Sequence, residues 1–356
     1  VARTPAADAG LEHEEVLLRR GPRSGLTTVV AVHSTARGPS LGGCRMWRYD
    51  GHDAALADAL RLSRAMTWKS AVAGLPLGGG KGVIALPAGA PAPTGAARRA
   101  ALLDFAETVA VLDGRYVTAE DVGTSARDLG VMAGVTPHVA GLSRARGGSG
   151  DPSPWTALGV LESIRASCER AFGSADLRGR SVAVVGLGHV GLALAGLLAR
   201  AGATLLVTDI VAARREDAAR LGARWIASGR ALTAPVDVLA PCALGGVLDA
   251  DAVAALQAPV VAGAANNQLA DDAVAGLLAD RGVLWAPDFV ANAGGIVNIS
   301  VELEPDGYDP RLARRRVRGI GETMRTVFAQ ADATGSTPLD AAMTLARRRV
   351  AEAGGT

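Results

Sequence analysis

Residues 1–40 contain short stretches of alternating apolar and polar character, such as Leu26-Thr27-Thr28-Val29-Val30-Ala31-Val32-His33, that predict strands. Gly38-Pro39-Ser40-Leu41-Gly42-Gly43 reads as a turn. The period then changes. Over residues 53–66 the apolar positions Leu56, Leu60, Leu62 and Met66 predict an amphipathic helix. Residues 74–82 read as a loop, followed by a short strand over 83–86 and a Pro/Ala connector over 88–93. A helix is predicted over 98–112, and a strand over 116–118 that ends at Ala119-Glu120-Asp121.

Gly147-Gly148-Ser149-Gly150-Asp151-Pro152-Ser153-Pro154 is the best candidate for a domain boundary. A helix follows over 156–172. Strands at 181–185, 204–207, 236–240, 260–262 and 283–285 then alternate with helices at the spacing of a doubly wound sheet. Helical periodicity returns over 311–330 and 339–351. The expected fold class is α/β in two domains, 1–150 and 151–330, the second a Rossmann-type doubly wound sheet. Residues 181–199 are apolar enough to suggest a membrane span, but a strand–turn–helix explains their small residues, His189 and the closing Arg200 better.

A chain of 356 residues suits about two domains. Lys+Arg of 37 against Asp+Glu of 35 gives a net charge of +2, which lacks the footprint of a nucleic-acid binder. Cys44, Cys168 and Cys242 form no disulfide framework and no zinc spacing, and no metal is expected. The amino end shows no signal-peptide pattern, so a cytoplasmic setting is the expectation. Only Lys69 and Lys81 are lysine, so 37 − 2 = 35 basic residues are arginine. Arginine cannot lose its proton in a protein, whereas a desolvated lysine can. Two lysines twelve residues apart around Gly78-Gly79-Gly80 therefore point to a site needing an ammonium or a free amine. The glycines would let a ligand reach the backbone, and a lysine of lowered pKa could act as a general base. Asp121, at a strand end, faces a cleft or caps a helix.

Gly186-Leu187-Gly188-His189-Val190-Gly191 follows a strand and opens a helix, the arrangement that receives a dinucleotide pyrophosphate. Asp209, eighteen residues beyond Gly191, ends the next strand, where a carboxylate meets the adenosine ribose. It favours NAD over NADP, with Arg214 and Arg215 close behind. The five histidines show neither metal spacing nor catalytic pairing, so a hydroxy-acid dehydrogenase, which needs a His base, is disfavoured.

The chain resembles the glutamate/leucine/phenylalanine/valine dehydrogenase family. The matching stretches are Gly38 to Met46, Met66-Thr67-Trp68-Lys69, Pro76 to Gly82, Thr118 to Thr124, Ser153 to Thr156, the glycine fingerprint, Ala264 to Gln268 and Ala291 to Gly295. The resemblance implies a substrate domain at 1–150, an NAD domain at 151–330, a cleft between them, and a last helix, about 331–356, that returns to the first domain. It implies Lys69 on the substrate α-carboxylate, Lys81 as the catalytic lysine and Asp121 as the carboxylate managing protons at the α-amino group. Asn266 is implied at the nicotinamide ribose and substrate carboxylate, Ser153 and Thr156 near the nicotinamide amide, and Asn292 in cofactor binding. Ala240, Pro241 and Cys242 are implied on the adenosine side.

The same resemblance implies reversible, NAD-dependent oxidative deamination of an amino acid to its 2-oxo acid by an oligomer of identical chains. No membrane or nucleic-acid partner is expected. Glutamate-type members carry a lysine where this chain has Leu41, so an acidic substrate is disfavoured. Leu41, Gly43, Met66, Ala119, Ile296, Val297 and Ile299 form the expected pocket. The Gly-Gly-Cys-Arg-Met and Pro-Leu-Gly-Gly-Gly-Lys-Gly stretches most resemble members acting on phenylalanine, with room provided by Gly42, Gly43 and Ala119. Leucine or valine is the alternative, since Ala119 stands where some phenylalanine-specific members have glycine. A nucleotide-sensing binding protein on the same fold is the remaining reading, disfavoured by the presence of both Lys81 and Asp121.

Overall fold

A computed structural model describes residues 12–355. The chain divides into two compact units. One takes the chain up to Gly150 together with the segment from Arg349 onward, and the other runs Asp151–Arg348.

The first unit holds β1 (Glu15–Arg20), β2 (Thr27–Ser34), β3 (Ser40–Tyr49), β4 (Gly78–Pro87) and β5 (Tyr116–Glu120), with α1 (His52–Val72), α2 (Gly95–Ala110) and α3 (Ala126–Met132). Its sheet order is β1-β2-β4-β3-β5. β1 and β4 run antiparallel to β2, while β3 is parallel to both β4 and β5. Successive side chains of a strand face opposite sides, and both sides here are covered. Val29, Ala31, Val83 and Ala85 pack with Ala55 and Ala59 of α1. Val30, Val32, Ile84 and Leu86 pack with Leu102, Phe105 and Val109 of α2. A strand buried on both faces loses the alternation of a half-exposed one, which is why β4 is hard to delimit from its pattern.

Two expectations change here. Residues 38–43 and 74–82 are not simply turn and loop, because Ser40 onward belongs to β3 and Gly78 onward to β4. The glycines serve close packing between protein elements. A Cβ on Gly78 would lie 1.8 Å from the Ser34 carbonyl oxygen, and one on Gly79 would lie 2.0 Å from the Thr67 nitrogen of α1. On Gly80 it would meet the Tyr116 ring at 2.6 Å.

The second unit opens with α4 (Ser153–Phe172). Its sheet comprises β6 (Ser181–Val185), β7 (Thr204–Thr208), β8 (Arg224–Trp225), β9 (Val238–Pro241), β10 (Val260–Val261) and β11 (Leu284–Trp285). α5 (His189–Arg200), α6 (Arg214–Arg220), α7 (Ala250–Ala255) and α8 (Val274–Asp280) form crossovers between these strands. The order β11-β10-β9-β6-β7-β8 is parallel throughout. It is the Rossmann order, with the chain reversing direction of travel between β6 and β9. Residues 181–199 are thus β6, the glycine loop and most of α5. No helix among the described residues is long and apolar enough to cross a membrane.

α9 (Asp288–Ala291), α10 (Gly294–Ser300), α11 (Pro310–Arg318), α12 (Ile320–Thr334) and α13 (Pro338–Gly354) complete the chain. The helix expected over 311–330 is two helices, jointed at Gly319, whose N–H is shared by the Arg315 and Arg316 carbonyls. α12 stays with the second unit, where Arg325 pairs with Glu169 and Asp332 with Arg170 of α4. The return to the first unit comes only at Arg349, later than 331. There the Arg349 guanidinium donates to the carbonyls of Ala71 and Val72 at the end of α1, satisfying acceptors that a helix terminus leaves open.

Gly79→Ala should cost about 1–3 kcal/mol or more, because its methyl meets helix backbone that cannot swing aside. Gly276→Ala, in α8 with open space around the added methyl, should stabilise by about 0.5–1 kcal/mol. Thermal denaturation of the two variants should therefore move in opposite directions.

Candidate active site

Lys81 sits within β4 and is 5% exposed. It shares strand parity with Val83 and Ala85, which places it on the face covered by α1. Asp121 follows β5. The Lys81 Nζ donates to Asp121 Oδ2 at 2.6 Å. The Nε of Arg45, from β3, donates to the same oxygen at 3.0 Å. The loop carrying Asp121 is closed by Thr124, whose hydroxyl accepts the Asp121 N–H at 3.1 Å and donates to the Cys44 carbonyl at 2.8 Å.

Burial pushes the Lys81 ammonium below the ordinary lysine range, against the pull of Asp121 and with help from Arg45. Burial alone would raise the Asp121 carboxyl, but Lys81 and Arg45 outweigh it and hold it below the usual carboxylate range. The pair thus combines an ionised acceptor with an amine that can release its proton, the set a general base needs.

Leu41 pairs with Gly79 and Val117 in the sheet, and Gly43 with Ala119. Leu41 and Ala119 are buried. A Cβ on Gly43 would lie 2.6 Å from the Asp121 Cβ, and one on Gly42 would lie 1.7 Å from the Gly80 carbonyl oxygen. These glycines therefore leave no room for a ligand side chain, since protein fills the space. α1 crosses β4 where Thr67 meets Gly79. Met66 precedes that contact, and Lys69 occupies the last turn of the helix. Ile296, Val297 and Ile299 are buried in α10 of the second unit.

In the second unit the three fingerprint glycines differ in what surrounds them. Gly186 has φ +101°, and a Cβ there would meet Ala243 at 2.7 Å. A Cβ on Gly191 would lie 1.9 Å from the Gly186 carbonyl oxygen. Gly188, the N-cap of α5, has open space where its Cβ would be. Packing thus explains two of the glycines. The third bares backbone at a helix amino terminus, the cradle a pyrophosphate fits. His189 is exposed and Val190 half-buried in the first turn of α5. Asp209 accepts the Leu187 N–H at 2.6 Å and the Val211 N–H at 2.8 Å, so it braces the glycine loop. Arg214 pairs with Asp217, and Arg215 lies over the Trp225 ring. Ala240 and Pro241 end β9, and the Cys242 N–H donates to the Val185 carbonyl at 2.8 Å.

Asn292 Nδ2 donates to the Ala264 carbonyl at 3.1 Å and to Asn266 Oδ1 at 2.8 Å. A carbonyl only accepts, so this fixes the Asn292 amide, turns Asn266 Oδ1 inward and directs the exposed Asn266 to present its NH2. Gln268 holds the same loop, donating to the Gly263 and Ala265 carbonyls and accepting from Trp285 Nε1. At the start of α4, the Ser153 N–H is held by Asp151 and the Thr156 hydroxyl by the Pro152 carbonyl.

Sequence reasoning missed Arg45, although it lies within a motif it singled out. In a chain this rich in arginine, residue type carries no signal. It also missed Gln268 as the brace of the Asn266 loop.

The family profile described as "Glu/Leu/Phe/Val dehydrogenase, dimerisation domain" matches residues 13–138, and the profile "Glutamate/Leucine/Phenylalanine/Valine dehydrogenase" matches residues 207–355. A valine dehydrogenase of Streptomyces virginiae is 44% identical, covering 96% of this chain and 94% of that relative. A leucine dehydrogenase of Thermoactinomyces intermedius is 40% identical, covering 95% and 91%. The crystal structure of L-tryptophan dehydrogenase from Nostoc punctiforme superposes with a TM-score of 0.84 at 36% identity, covering 97% of this chain and 98% of that one.

Gly188→Ala should leave thermal stability unchanged, because its methyl meets no protein atom, while obstructing a pyrophosphate. Titration with NADH, followed by fluorescence, should show binding weakened by tenfold or more, on the order of 1.4 kcal/mol.

Proposed function

This chain belongs to the glutamate/leucine/phenylalanine/valine dehydrogenase family, and on that premise we propose that it reversibly deaminates a branched-chain aliphatic L-amino acid, valine or leucine, with NAD. It is an amino-acid dehydrogenase, an oxidoreductase acting on CH–NH2 donors, of an NAD(P)-dependent family. The observation that carries the mechanism is the pairing of buried Lys81 with half-buried Asp121 at 2.6 Å.

NAD, when bound, supplies the acceptor for the hydride of the substrate Cα. The chain's own residues do the rest. Lys69 orients the α-carboxylate, which substrate and product share. Asp121 takes the proton from the α-amino group. Lys81, as a neutral amine, takes a proton from water as the water oxygen bonds to the iminium carbon. Asp121 returns a proton to nitrogen, the C–N bond breaks as the new hydroxyl gives up its proton and becomes the carbonyl, and the departing ammonia takes up a proton as ammonium while Lys81 releases its own to solvent. Amino acid, water and NAD⁺ thus become 2-oxo acid, ammonium, NADH and a proton. The backbone at Gly186, Gly188 and Gly191 would hold the pyrophosphate. Asp209 would take the adenosine ribose, Ala240, Pro241 and Cys242 the adenosine side, and Ser153, Thr156 and Asn266 the nicotinamide side. Asn292 acts through Asn266.

The branched-chain assignment replaces the phenylalanine expectation. Its support is the valine and leucine dehydrogenases among the relatives and the Ala119 methyl where some phenylalanine-specific members have none. The stretches that suggested phenylalanine lie mostly in the interiors of β3 and β4, where the glycines answer to sheet packing rather than to a ligand. Leu41 offers no partner to a distal carboxylate. Asp209 disfavours a 2′-phosphate, and Arg214 and Arg215 are engaged elsewhere, which supports NAD. The first profile's dimerisation domain supports an oligomer of identical chains.

Valine and leucine should exceed phenylalanine in kcat/KM by roughly 10–200-fold, the discrimination a hydrophobic pocket achieves, with glutamate slower still. Steady-state NADH formation with the four amino acids decides this, and phenylalanine in first place would refute it. Lys81→Arg should lower turnover by roughly 10²–10⁴-fold with NADH binding intact. For the wild type, kcat/KM should rise with pH as Lys81 loses its proton. Because burial lowers that pKa, the rise should fall below the ordinary lysine value of about 10.4.

A further inference from the structure

We propose that Arg45 is the positioning residue for Asp121, holding one carboxylate oxygen so that the other faces the substrate's amino group, and keeping Asp121 ionised while Lys81 is neutral. This rests on the role of Asp121 in the proposed reaction. Two donors from neighbouring strands, Lys81 Nζ at 2.6 Å and Arg45 Nε at 3.0 Å, converge on Oδ2. That convergence sets the rotation of the carboxylate and turns Oδ1 away from both cations. Arg45 is itself anchored. Its Nη1 donates to Asp58 Oδ2 of α1 at 3.0 Å. The Asp58 carboxylate is held in turn by the Tyr49 hydroxyl and the Arg61 guanidinium, each at 2.7 Å. A planar fork can bridge two carboxylates in this way, while an ammonium acts as a point charge.

The reaction supplies the reason for a second cation. Lys81 must give up its proton and take another from water. When it is neutral, Asp121 loses that counter-charge inside a buried site, where a carboxylate without a cation tends to bind a proton itself. Arg45 cannot deprotonate, so its charge persists through the cycle. Among the described residues, other titratable groups that interact with Lys81, Asp121 or Arg45 are Cys44 and Tyr49 on β3, Tyr116 on β5 and Asp58 on α1, with Arg61 beside Asp58 and the Arg98–Asp128 pair beside Cys44. None of these donates to the Asp121 carboxylate in the hydrogen bonds described above.

The test compares wild type, Arg45→Gln and Arg45→Lys by two readouts. Carbon-13 NMR of the aspartate carboxyls, with Asp121 assigned through Asp121→Asn, follows its titration in the unliganded protein. Steady-state kinetics with valine follow kcat, KM and the pH profile. Arg45→Gln should raise the Asp121 midpoint by about one pH unit or more and move the acidic limb of kcat/KM upward. Turnover should fall by roughly 10²-fold, with KM changing far less. Arg45→Lys should recover the midpoint more fully than the turnover, since it restores charge without the fork. Coincident Asp121 titrations and pH profiles in wild type and Arg45→Gln would overturn the proposal. A wild type inactive on amino acids that still shows the NMR shift would sustain the hold of Arg45 on Asp121 and remove the amino-acid reading, so the two fail separately.

Discussion

A lysine enclosed in a sheet is costly to keep charged, and the first unit is organised around meeting that cost. Lys81 lies in a strand buried on both faces, with the Asp121 carboxylate at 2.6 Å to stabilise an ammonium. Glycines at 78, 79, 80 and 82 allow this enclosure. Each stands where a side chain would collide with α1, Tyr116, Phe105 or a neighbouring carbonyl. The layers close tightly because β4 is thin, and Lys81 is the polar side chain in the thin stretch. Its lowered proton affinity follows from the same packing that shapes the fold.

The carboxylate side shows how such a site stays determinate. One oxygen of Asp121 receives two cationic donors, and the loop behind it is tied to β3 through Thr124 and the Cys44 carbonyl. Arg45 carries the restraint outward to Asp58, and so to α1, the helix that also bears Lys69. Lysine, carboxylate and helix are linked by a chain of charge-assisted hydrogen bonds, each of which fixes an orientation. The second unit uses neutral groups for the same purpose. Asn292 orients Asn266, Gln268 ties its loop to Trp285, and Asp209 braces the glycine turn.

Much of the architecture was legible in the sequence because its signals are local. The Rossmann strands announce themselves by short apolar runs between turn residues, and the fingerprint by glycines at fixed offsets. β6 begins and ends at the expected residues. The scarcity of lysine, against a background of arginine, singles out Lys69 and Lys81 as candidates for chemistry. What failed was also physical. Glycines usually signal turns, but in β3 and β4 they signal close layers, so strands there were mistaken for turn and loop. The joint at Gly319 is invisible to periodicity, since both helices share one pattern.

The sequence by itself determined the fold class, the dinucleotide turn and the two lysines, since each is written in spacing along the chain. The tertiary structure alone decided which partners these residues meet. Arg45 looks like any other arginine until the β3–β5 pairing sets it against Asp121. The glycines look like room for a ligand until α1 and Tyr116 are seen to occupy that room. Orientation and enclosure depend on residues distant in sequence, and only the packed chain brings them within a hydrogen bond of one another.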